Sequence, residues 1–177
     1  MPKLLQPHNP SWTRDFEKEA AALRDAWGSA IIQLHHIGST SIPNIMAKPI
    51  VDILGEAGSL ADIDSKTSVL ESAGYEARGE YGIAGRRYFK KTASTPSDLG
   101  YHVHVYQQGS PHIARHLRFR DFLLQHPEIA RAYSDLKVSL LDPSGALPTD
   151  YANRKSHFID HIEAQTSDHP LRSAGRT

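Results

Sequence analysis

The stretch that most constrains this chain is His36-Ile37-Gly38-Ser39-Thr40-Ser41-Ile42-Pro43, followed by Ala47-Lys48-Pro49-Ile50-Val51-Asp52-Ile53-Leu54. It reads as the end of one strand, a Gly-Ser turn, a short connection and a second strand. An aspartate inside the apolar run Pro49 to Leu54 is costly to bury unless a cation or hydrogen-bond donors satisfy it. Glycine beside small hydroxyl residues lets backbone N–H groups approach an anion closely. Turn and lone carboxylate together predict a site that holds a phosphate and a metal ion side by side. The plainer alternative is a tight turn, then a strand whose aspartate bonds a neighbouring backbone.

The rest of the composition bounds the setting. A chain of 177 residues is long enough for one domain with a full core. No apolar run approaches the roughly 18 residues that cross a bilayer. The N-terminus lacks a basic-then-apolar signal pattern, so the expectation is a cytoplasmic protein with no membrane partner. There is no cysteine, which excludes disulfides, thiolate metal sites and cysteine nucleophiles from this sequence. Basic and acidic residues balance at 20 each, so no global charge draws the chain to nucleic acid, and none is expected as a partner. The 11 histidines would turn it cationic under mild acidification.

Periodicity organises the chain into alternating elements. Ser11 is a candidate N-cap, and Trp12, Phe16, Ala20, Leu23 and Trp27 follow at helical spacing until Gly28. Ala30 to Ile37 and Pro49 to Leu54 read as strands, Ser59 to Ala73 as a helix closed by Gly74, and Tyr75 to Arg78 as a short strand. Arg86 to Thr92 and Leu99 to Tyr106 are further strands. From Pro111 the pattern turns helical, with segments Pro111 to His126, Pro127 to Leu140 and Asp150 to Gln165, the last two separated by the turn Asp142-Pro143-Ser144-Gly145. The expected domain is 1–165, with 166–177 a polar tail. The architecture is α+β, a short mixed β-sheet with flanking helices and a C-terminal helical region.

Several side chains beyond Asp52 carry chemistry. His102 and His104, at i and i+2 on a strand, point to one face; they are either two ligands for a transition metal or two surface imidazoles opposite a buried Val103 and Val105. His36, beside the turn, is a candidate phosphate donor or an ordinary strand-edge histidine. Alternation separates Arg86, Tyr88 and Lys90 from Arg87, Phe89 and Lys91, so only one set can address a ligand. Lys48 opens the second strand. Lys137 and Lys155 sit on helices otherwise lined by apolar residues, where a stem packed on the core with its head in solvent is the usual arrangement and a phosphate-reaching amine the other.

These segments together resemble the GrpB family. The similarity runs through His36 to Pro43, Ala47 to Ile53, Arg86 to Lys91, His102 to Val105, Leu117 to Leu123, Tyr133 to Lys137, Tyr151 to Lys155, Phe158 and Ile159. The family is similar to the nucleotidyltransferase-like superfamily, and its domain is also found behind some bacterial dephospho-coenzyme A kinases. The resemblance implies a nucleotidyltransferase-like fold in which the Gly-Ser turn grips a triphosphate and two carboxylates one residue apart bind divalent metal. Gly38 and Ser39 match the turn and Asp52 the first carboxylate; the second position is Leu54. Glu56 lies further along, but Gly55 argues against a strand that long. The implied site is therefore Asp52 as the catalytic residue, with His102 and His104 as fellow ligands of one magnesium, manganese or zinc ion. Gly38, Ser39, Thr40, Ser41, Lys48, Arg87 and Lys155 would bind the phosphates. The leading expectation is a metal-assisted nucleotidyltransferase acting on a nucleotide or other phosphorylated small molecule. The alternatives are a catalytically degenerate anion-binding or accessory module, favoured by Leu54, and a metal-dependent phosphoester hydrolase.

Overall fold

The computed structural model describes residues 5–145 and 148–166. The tail expected after Thr166 lies outside them. Helix α1 (Ser11–Trp27) precedes strands β1 (Ile31–Ile37) and β2 (Ile50–Ala57). Two short helices, α2 (Leu60–Asp64) and α3 (Thr67–Ser72), lead to β3 (Glu76–Ala77), β4 (Arg86–Lys91) and β5 (Gly100–Gln107). Helices α4 (Pro111–Gln125), α5 (Pro127–Ser139) and α6 (Tyr151–Thr166) complete the chain. The five strands form one mixed sheet in the order β1-β2-β5-β4-β3; β2 and β5 run parallel and every other pair antiparallel.

Strand alternation divides the side chains between two faces. One face packs Val51, Ile53, Val103, Val105 and Phe89 against Leu23 and Trp27 of α1 and against Ile63 and Leu70 of α2 and α3. Val103 and Val105 are the alternate positions that the sequence reading offered as buried opposite His102 and His104. Burying each such side chain contributes about 1.5–3 kcal/mol. The opposite face carries Asp52, Leu54, His102, His104, Tyr88 and Arg86, which the register sets side by side. A second apolar cluster, built from Phe122, Leu123, Ala130, Tyr133 and Ile162, holds α4, α5 and α6 together and includes Ile42 and Ile45 from the loop after the turn.

Local departures from the sequence reading have local causes. Asn9, not Ser11, caps α1: its Oδ1 accepts the Ser11 N–H at 2.9 Å, while the Ser11 hydroxyl donates to Asp15. The segment 59–73 breaks into two helices around Ser65, whose hydroxyl donates to the Asp62 carbonyl and competes with helix continuation. Strand β2 runs through Gly55 to Ala57. Gly55 is there because a Cβ would meet Ile31 and Val105 side chains at 3.1 and 3.2 Å, so it marks close packing rather than a strand end.

Candidate functional site

Between the second sheet face and helices α4–α6 lies a cleft of about 440 Å³. Its floor is Asp52 on β2 with His102 and His104 on β5, and the Gly38-Ser39 turn forms one edge. The walls are the helices, contributing His112, His116, Arg120, Lys137 and Lys155 among others.

Asp52 is the centre of the floor. Its Oδ1 is 3.6 Å from His102 Nδ1 and 3.5 Å from His104 Nε2, and its side chain keeps 29% of its exposure toward the cleft. Burial pushes the Asp52 carboxyl up, but hydrogen bonds and charge from the two imidazoles outweigh it and hold the group well below the usual carboxylate range. The other oxygen faces the turn. Oδ2 lies so near Gly38 that a Cβ there would stand 2.5 Å from it. Gly38 also has φ of 72°, the left-handed region. The glycine thus serves twice, making the turn and leaving room for the carboxylate.

The second carboxylate position is occupied by a structural leucine. Leu54 is 0% exposed and packs with Ile37, Tyr106 and Ile113 in the seam between sheet and α4. Glu56 shares this face but bonds His35 at 2.7 Å and does not line the cleft. Among the described residues no group of three His, Cys, Asp or Glu side chains is arranged to hold a metal ion. The expected trio of Asp52, His102 and His104 does come together, but as one carboxylate oxygen flanked by two imidazoles. The donor set does not fit a pair of divalent ions, which needs carboxylates on both.

Positive charge gathers at the turn. Lys137 on α5 is 2% exposed; its Nζ donates to Ser39 Oγ at 3.0 Å and to the Met46 carbonyl, and it lies over the Tyr133 ring at 4.6 Å. Burial, with nearby Lys155 adding, pulls this amine down to about 7. Lys48 sits over the Tyr151 ring at 5.1 Å, and burial and Lys155 pull it down against the raising effect of Asp52. For Lys155 burial also pulls down, but Tyr133, Asp52 and Tyr151 outweigh it and hold the amine above its ordinary value. No ion pair engages any of these three lysines among the described residues.

Other expected residues are placed elsewhere. Arg87 is on the opposite sheet face and makes a two-pronged pair with Asp64, Nε–Oδ1 2.5 Å and Nη2–Oδ2 2.8 Å, so it does not reach the cleft. Arg86 does, but it is 7% exposed and donates to the Glu80 and Tyr81 carbonyls, pinning the loop before β4. Thr40 is buried against His36 Nε2 at 2.9 Å, and the Ser41 hydroxyl donates to the Gly38 carbonyl at 2.6 Å. Both hydroxyls shape the turn and neither lines the cleft. His36 stacks on Phe16 of α1, and burial pulls it down to about 4. His116, which sequence reasoning missed, lies against His104 in the cleft, and burial with His104 and Arg115 pulls it down to about 4.

A family model described as GrpB protein matches residues 3–165. The chain belongs to the GrpB family. Among its relatives is the UPF0157 protein YqkA of Bacillus subtilis, 42% identical over 156 residues that make up 88% of this chain and 45% of that protein. This GrpB chain therefore spans less than half the length of YqkA. A dephospho-CoA kinase of Mycobacterium leprae is 28% identical over 77% of this chain and 39% of its own. The crystal structure of conserved protein GrpB from Enterococcus faecalis superposes with a TM-score of 0.83 at 37% identity, covering 92% of this chain and 96% of that one. A Cid1 poly(U) polymerase structure with MgGTP bound matches with a TM-score of 0.55 at 11% identity, covering 84% and 50%. That likeness gives the fold alone, and the fold is nucleotidyltransferase-like. Among the described residues no helix is long and apolar enough to cross a membrane.

Proposed function

We propose that the cleft binds a nucleotide through its phosphates. The observation that carries this reading is the convergence of Lys48, Lys137 and Lys155, from three separate segments and without ion-pair partners among the described residues, beside the Gly38-Ser39 turn. Holding three ammonium groups near one another, one of them almost fully buried, is costly unless an anion joins them. The Ser39 hydroxyl and the turn backbone would position the phosphates, and the lysines would neutralise them. The cleft volume lies within the ordinary range for small-ligand sites.

Titration of the chain with ATP and other nucleoside triphosphates, followed by calorimetry, tests this. Binding should weaken at least about tenfold in Lys155→Met, the loss of one charged hydrogen bond. No binding by any triphosphate, or equal affinity in Lys48→Met and Lys155→Met, would remove the reading. A second reading, nucleotidyl transfer, is favoured by Asp52 at the first carboxylate position of the fold; the divalent ion expected at Asp52, His102 and His104 belongs to this reading. Turnover of α-labelled triphosphates with magnesium, manganese or zinc over a panel of acceptors, abolished in Asp52→Asn, would establish it.

A further inference from the structure

A cleft that receives a nucleotide as its magnesium complex must offer oxygen ligands to the ion, commonly one or two carboxylates beside the phosphates. The described residues lining this cleft include two carboxylates, Asp52 and Glu163. Glu163 accepts from Arg115 Nε at 2.7 Å. Asp52 has Oδ1 between two imidazoles and Oδ2 against Gly38. Imidazole is a poor ligand for magnesium. The next carboxylate along the strand, Glu56, is held by His35 outside the cleft, and Leu54 between them is sealed in an apolar cluster. Opposite this engaged acid stand three lysines without ion pairs among the described residues, one of them anchored to Ser39.

From this donor set we propose that the cleft takes its nucleotide as the free polyanion, with the ammonium groups of Lys48, Lys137 and Lys155 supplying the positive charge that divalent ions would otherwise bring. The proposal rests on the nucleotide-binding reading above and deepens it by naming the ionic form of the ligand. A magnesium ion already on the phosphates would cancel the charge that the lysines recognise and would find on the floor a single carboxylate, flanked by two imidazoles. Asp52, as a negative group near the phosphates, would oppose binding rather than assist it.

Calorimetric titration of the full chain with ATP, once in EDTA and once in excess magnesium, separates the possibilities. The expected dissociation constant in EDTA is lower than that in magnesium by about tenfold, equivalent to about 1.4 kcal/mol. Tripolyphosphate should show the same order. In Asp52→Asn, with folding checked by circular dichroism, affinity for ATP in EDTA should rise about threefold or more as a like charge is removed. ATP binding that requires magnesium, or a fall in affinity in Asp52→Asn, would overturn the proposal while leaving the nucleotide-binding reading intact. Binding in neither buffer would overturn both. The comparison in the unsubstituted chain stands even if the variant fails to fold.

Discussion

At the scale of single residues, the site depends on two close approaches that a sequence shows only in part. Gly38 is one. Alanine there would force a Cβ to 2.5 Å from Asp52 Oδ2 at a φ of 72°. Gly38→Ala should destabilise the fold by about 2–3 kcal/mol in urea unfolding, combining overpacking with backbone strain. Lys137 is the other. Its amine ionises near 7 when folded and near 10.5 when unfolded. Between those values the unfolded chain holds more protons, so this group makes stability rise as pH goes from about 7 toward 10, and below 7 its full burial penalty stays. Lys137→Met should abolish that rise, measured as the pH dependence of unfolding free energy. Gly38, Ser39 and Asp52 were legible because their chemistry is written in adjacent residues. Lys137 was not, because nothing local distinguishes an amine that reaches solvent from one that turns inward to Ser39, 98 positions away.

At the scale of elements, alternation put His102 and His104 on one face of their strand, while their convergence with Asp52 was an expectation from the family resemblance; the parallel register of β2 and β5 sets Asp52 beside His102. Alternation could not decide which face of β4 met the cleft. Phe89 decides it by packing on Trp27 beneath the sheet, which carries Arg87 down with it and leaves Arg86 above. Arg87→Ala should therefore leave ATP affinity unchanged and cost no more than about 1 kcal/mol of stability, as expected for a partly exposed pair. The same alternation turns His36 toward α1 and away from the turn's ligand side. His36 and His116 each ionise near 4 when folded against 6.5 unfolded. The unfolded state then holds more protons between those values, so stability is lost as pH falls from about 6.5 to 4. The loss is on the order of 2–3 kcal/mol per histidine, and His116→Phe should remove one share of it when unfolding curves at pH 7 and 4.5 are compared.

At the scale of the whole molecule, the cleft exists only because two separately cored layers meet along it. The sheet with α1–α3 closes one core and α4–α6 close the other; the loop 38–49 ties them, with Ile42 and Ile45 in the helical cluster and the Met46 N–H donating to Ser134 Oγ at 2.8 Å. A phosphate chain seated among Lys48, Lys137 and Lys155 would bridge that loop, α5 and α6 at once. Ligand that binds only the folded state stabilises it by about 2.7 kcal/mol at a hundredfold excess over its dissociation constant, a rise of roughly 5–10 °C in midpoint for a chain of this size. ATP in EDTA should produce such a rise and slow amide hydrogen exchange across α6, the helix that carries Lys155. In Lys155→Met both effects should shrink together at the same ATP concentration. A raised midpoint with α6 exchange unaltered would mean that the anion is held by the turn and α5 alone, and that the helical layer does not close upon it.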